Sequence, residues 1–132
     1  MICLEPAARE QLVAHSRAAL PNEACGLLIG TEEHIMRFIP LPNAAASPTR
    51  FTLDPHEQLA AERAIDAAGE TVIGIAHSHP AGDNSPSAVD VTDAERFDPL
   101  GMWLHVVVSP VAPSVRAFRI VAGEVEEIAL QT

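Results

Sequence analysis

The sequence predicts an α/β (α+β) fold, a central mixed β-sheet sandwiched by helices. Two segments, Pro6–Leu20 and Asp54–Gly69, carry helix-start residues. Between and after them lie short apolar runs of strand length, of which Thr71 to His77 is apolar and partly β-branched. Strands interspersed with helices call for a sheet with helices packed on it.

In chain order, Pro6 suits the first position of a helix, where its missing N–H costs nothing, and Leu12, Val13, Ser16 and Leu20 give a loose apolar stripe at helical spacing. Pro21-Asn22 ends that helix. Cys25 to Gly30 reads as a buried strand, and His34 to Ile39 completes a hairpin across Thr31-Glu32-Glu33. Pro40, Pro42 and the stretch from Asn43 to Pro48 form a loop, followed by a short strand at Arg50–Leu53. Asp54 is a good N-cap, with Pro55 at N1 and Glu57 at N3, for a helix running to about Ala68 and capped by Gly69. After the Thr71–His77 strand, Pro80 to Pro86 is rich in turn formers and Ser87 to Phe97 is helical. Trp103–Ser109, Val115–Ile120 and Glu124–Leu130 read as three further strands.

The 132 residues suit one domain, 1–132, and are too few for a TIM barrel of about 250 residues. Eight basic against eighteen acidic side chains leave a net charge of −10, which argues against a phosphate-backbone partner and against docking on anionic lipid, so no nucleic acid and no membrane is expected. Cys3 and Cys25 are too few for a disulfide framework, and neither a signal-peptide pattern nor a membrane-length apolar run is visible. The expected setting is reducing and cytoplasmic.

Six histidines point to where chemistry sits. His77 and His79 are two apart at a strand end and share a face, while Ser78 points away. Ser87 and Asp90, three apart at a helix start, share a face as well. Two imidazoles opposite a carboxylate make a three-ligand metal site with a fourth position open for water, which is the mark of a catalytic zinc. On residue chemistry alone, hydrogen-bonded core histidines, with Asp83 and Asp90 as solvated acids, remain an alternative.

The run His77-Ser78-His79-Pro80, six residues, Ser87, two residues, Asp90 resembles the signature of the JAMM (MPN-plus) metalloproteases. Glu23, in Glu23-Ala24-Cys25-Gly26, matches the glutamate that this family carries before its first long strand. The resemblance implies a cytidine-deaminase-like MPN fold and one Zn²⁺ per chain held by His77, His79 and Asp90. It makes Glu23 the general base and gives Ser87 a hydrogen bond to the developing oxyanion. It further implies a ubiquitin-like partner with a Gly-Gly tail. The bareness of the chain and Glu-Ala-Cys-Gly favour the bacterial branch, which acts on sulfur carriers to release cysteine or a C-terminal extension. Cys25 shares Glu23's face on a strand and is read as a small buried hydrophobe. His15, His34, His56 and His105 are read as surface or core residues, and Trp103 as a core residue.

Two rivals stand beside this reading. A cupin-like Fe(II) protein would use His77, His79 and Asp83, with His105 as an extra ligand, in an all-β barrel. A non-catalytic MPN scaffold would keep the fold and lack a ligand, and none is missing.

Overall fold

The computed structural model describes residues 1–132. Its elements are β1 (Ile2–Leu4), α1 (Pro6–Ala19), β2 (Cys25–Thr31), β3 (His34–Leu41), α2 (Pro55–Ala67), β4 (Val72–Ser78), α3 (Ala88–Phe97), β5 (Leu104–Ser109), β6 (Ser114–Val121), β7 (Glu124–Ile128) and β8 (Leu130–Gln131). All eight strands belong to one mixed sheet, in the order β7-β6-β5-β4-β2-β3-β1-β8. The expected α+β class, with helices on a mixed sheet, is what the chain adopts.

The capping chemistry acts as its residue types dictate. The Asp54 carboxylate accepts the N–H groups of His56 and Glu57 ahead of α2, and Gly69 follows that helix at φ +73°, where a side chain would be strained. Ser87 and Asp90 form a reciprocal capping box at the start of α3.

Strands β2 and β5 are buried along almost their whole length because both faces of the sheet are covered. On one face α1 lays Ala8, Leu12 and Val13 against a cluster that includes Leu28, Phe38, Ala76 and Val106. On the other, Ile65 of α2 meets Leu27, Ile29 and Leu41. The alternation Leu27, Leu28, Ile29 between the two clusters is the strand's period of two. Gly26 is required by proximity, since a Cβ there would stand 2.2 Å from the carbonyl oxygen of Ile39.

Three expectations need correction. Arg50–Leu53 is not a strand; only Leu53 makes an isolated bridge, to Asn43. The single strand expected over Glu124–Leu130 is two. β7 pairs with β6, and after Ala129 β8 pairs with β1 at the far edge, so the sheet nearly closes on itself. The three-residue β1 was not anticipated, and it is the piece that accepts β8.

Candidate metal centre

Strand β4 ends at the middle of the molecule's polar cluster. It pairs antiparallel with β2, setting His77 opposite Cys25, and parallel with β5, setting His77 opposite Val107. Backbone pairing continues past its end, where the N–H of His79 donates to the Val108 carbonyl at 2.9 Å. Both histidines are thus held by the sheet rather than by a free loop.

Their ring nitrogens converge with Asp90. His77 Nε2 lies 3.1 Å from His79 Nε2 and 3.0 Å from Asp90 Oδ2, and His79 Nε2 lies 3.1 Å from that same oxygen. A tetrahedral ion with bonds of about 2.0–2.1 Å has ligand–ligand edges of about 3.3 Å, so this triangle nearly matches one face of such a site. The donor set, two imidazoles and a carboxylate, fits zinc. A second triad shares the pair: ligand atoms of Glu23, His77 and His79 lie within 4.8 Å of one another. Asp90 approaches the histidines more closely than that limit requires, and we take it, rather than Glu23, as the third candidate ligand.

Each member is oriented from behind. His79 Nδ1–H donates to the Asp83 carbonyl, which leaves the Nε2 lone pair for the cluster. Phe51 stacks on His77, with ring centroids 4.4 Å apart and planes at 20°. Asp90 Oδ2 accepts the Ser87 N–H at 2.9 Å, and the Asp90 N–H donates to Ser87 Oγ at 3.1 Å. Ser87 therefore caps α3 and aims Asp90 at once.

Burial pushes His77 below the ordinary histidine pKa, with Asp90 only partly offsetting it, which favours the neutral ligating form. Burial also lowers His79, but bonding to Asp90 and to the Asp83 carbonyl reverses the sign and leaves it raised. Burial disfavours the Asp90 anion, yet bonds from His77 and His79 outweigh it and hold that carboxyl far below the usual range.

Glu23 is 3% exposed, and its Oε1 is buried with no hydrogen-bond partner. Burial, aided by the Asp90 charge and opposed by His79, pushes its carboxyl up to about 7. Its segment is clamped onto β4 by two bonds: the Ala24 N–H donates to Ser78 Oγ at 2.8 Å, and the Ser78 N–H donates to the Ala24 carbonyl at 3.0 Å. Asn43 Nδ2 donates to the Glu23 carbonyl at 3.0 Å from the other side. Cys25 is fully buried against Phe51 and Ile75, and burial next to Glu23 pushes its thiol up to about 12. It is a packing residue, as its residue type suggested.

The structure thus brings together Glu23, His77, His79, Ser87 and Asp90. It leaves Asp83 and His105 outside. The Asp83 side chain accepts the Ser85 N–H within its own loop, and His105 pairs with Asp98 at 2.9 Å. With helices on a mixed sheet as well, the cupin-like arrangement does not describe this chain. Sequence reasoning missed Ser78, Asn43 and Phe51 as supports. Only Ser78 carried a signal, its position between two histidines of like orientation. Also unforeseen is a cleft of about 410 Å³ behind Phe51, floored by Ile75, Phe97 and a half-buried Trp103 and edged by Arg50 and Arg96.

The family model described as prokaryotic homologs of the JAB domain matches residues 5–121. A CysO-cysteine peptidase from Mycobacterium tuberculosis is 42% identical over 121 residues, covering 88% of this chain and 80% of the relative. A desampylase from Haloferax volcanii is 36% identical over 110 residues, covering 78% of this chain and 76% of its own. The solution structure of a Desulfitobacterium hafniense protein superposes with a TM-score of 0.87 at 38% identity, covering 99% of this chain and 92% of that one.

Proposed function

Because the chain belongs to the prokaryotic JAB-domain family, the bacterial JAMM/MPN group its motif resembles, we propose that it is a zinc-dependent peptidase cleaving after the C-terminal Gly-Gly of a ubiquitin-like sulfur carrier. The leaving group is cysteine or a C-terminal extension. The observation that carries this reading is the triangle of His77, His79 and Asp90 beside a buried, unpartnered Glu23 oxygen. Relatives named as peptidases and desampylases support hydrolysis of a bond to a ubiquitin-like protein. No helix is long and apolar enough to cross a membrane. We take residues 1–132 to act as one catalytic domain, and its two free cysteines accord with a reducing, cytoplasmic setting.

His77, His79 and Asp90 would hold the zinc. When bound, zinc supplies Lewis-acid polarisation of the scissile carbonyl and acidifies the attacking water. Glu23 holds and moves the proton. A carboxyl poised near 7 takes a proton from water and returns it to the departing amine with little driving force lost in either direction. The orphaned Oε1 leaves one oxygen free to do so. Ser87 Oγ accepts the Asp90 N–H, so its own hydroxyl proton remains available for the oxyanion. Phe51 stacks on the buried His77 ring and shields it from water on that side. Glycine suits the substrate because only a residue without Cβ lets its backbone approach a recessed metal closely.

The test incubates the zinc-loaded chain with carrier fusions and identifies the products by mass spectrometry. A Gly-Gly tail offers few side-chain contacts and loses much backbone entropy on ordering, so the folded carrier must supply binding energy. We expect kcat/KM for the intact fusion to exceed that for the isolated tail peptide by at least about 10²-fold, roughly 2.7 kcal/mol. Equal values would point to a general small-peptide hydrolase.

A further inference from the structure

The geometry points to a second metal site, formed by Cys3, Glu5 and His34 and suited to a borderline-soft divalent cation such as Zn²⁺. It lies at the opposite end of the sheet from the catalytic histidines. β2 runs from Cys25, paired with His77, to Thr31, paired with His34.

Strand pairing brings the three side chains together. β1 and β3 run parallel with Cys3 opposite His34, and Glu5, two residues beyond Cys3 in extended backbone, continues on the face of Cys3. Both residues are tied to the hairpin through the backbone. The Cys3 N–H donates to the Glu33 carbonyl at 2.8 Å and the Glu5 N–H to the Ile35 carbonyl at 3.0 Å. Their ligand atoms and that of His34 lie within 4.8 Å of one another, with His34 Nε2 3.4 Å from Glu5 Oε1.

Two further observations single the cluster out from ordinary surface polarity. Glu5 occupies the N-cap of α1, yet its side chain makes no capping bond to the helix and faces His34 instead. Cys3 is a free, half-buried thiol, and Cys25, the sole other cysteine, is buried at the far end of the sheet. Sulfur, nitrogen and oxygen donors in one cluster are the set that zinc and its first-row neighbours take, and the exposed side of the cluster leaves room for water as a fourth ligand. On binding, the Cys3 thiol gives its proton to solvent and the metal takes its place. The ion would pin β1 to β3, and β1 is the strand on which β8 closes the sheet. Metal binding there should therefore resist unfolding through mass action.

Cobalt(II) tests this, because a thiolate ligand produces a sulfur-to-cobalt charge-transfer band that a site of imidazoles and carboxylates does not. The reduced full chain should bind two equivalents and show the band. Cys3→Ser and His34→Ala should each lose one equivalent, and Cys3→Ser should lose the band, whereas Cys25→Ser should keep both. His77→Ala/His79→Ala should lose the other equivalent and keep the band, which separates this site from the catalytic reading. Zinc should raise the Tm of the Cys25→Ser chain by more than that of Cys3→Ser. A single equivalent without the band, or a band that disappears with Cys25 rather than Cys3, would overturn the proposal.

Discussion

Among individual residues, Glu23 and Cys25 show how two neighbouring buried groups are given different work. Both are pushed up by burial, but a carboxyl moved to about 7 exchanges its proton near neutrality, while a thiol moved to about 12 keeps it. The Cys25 Sγ also spends its weak donor on the carbonyls of Leu41 and Pro42. Glu23 keeps an oxygen with no partner. Glu23→Gln preserves shape and removes only the titratable proton. We expect unchanged zinc content by elemental analysis and a fall in kcat of about 10²–10⁴-fold. Near-normal turnover would remove Glu23 from the mechanism. Loss of zinc would make it a ligand, as its proximity to both histidines permits.

At the scale of elements, the site is a junction of three backbones. β4 delivers the histidines, the cap of α3 delivers Asp90, and the segment before β2 delivers Glu23. What locks the last to the first is Ser78, whose hydroxyl lies on the sheet face opposite the two imidazoles and takes the Ala24 N–H. Ser78→Ala leaves that buried N–H without a partner, at a cost of about 1–3 kcal/mol in stability. It also frees Glu23 to drift. The expected signature is a lower kcat with KM and zinc content held, restored by Ser78→Thr, which keeps the hydroxyl. If the serine were only a packing residue, the Thr variant would be no better than the Ala variant. The same junction explains why the paired histidines could be placed on one face from sequence: strand alternation alone dictates it. Glu23 could not be so placed, since its relation to β4 depends on pairing with a strand about fifty residues away. Family resemblance had to stand in for that contact.

For the whole molecule, the buried pair of His105 and Asp98 links folding to pH. Burial lowers the His105 pKa below its ordinary 6.5, against the opposing pull of Asp98, while His77 and Arg119 add to the lowering. The folded chain thus binds fewer protons here than the unfolded one. The resulting stability is complete above about pH 6.5 and is lost as pH falls toward the lowered value. Wild-type Tm should decline more between pH 7 and pH 5 than that of His105→Gln, with metal content held equal. Parallel declines would show that the histidine is not the coupled group. Taken by itself, the sequence determined the helices, the central strands, and the shared faces of His77 with His79 and of Ser87 with Asp90, because capping, period-two alternation and turn chemistry are local properties. Only tertiary structure decided the rest. A three-residue β1 and a two-residue β8 carry too few side chains for any periodicity. The backbone of Arg50–Leu53 is held by the Asn43 side chain, the Ala44 N–H and a single bridge instead of a ladder, and the segment stays a loop whose Phe51 stacks on His77. The split at Ala129, which sends β7 and β8 to opposite edges of one sheet, follows from where those edges lie in space. That near closure is a long-range fact, fixed by backbone groups seeking partners across the whole chain.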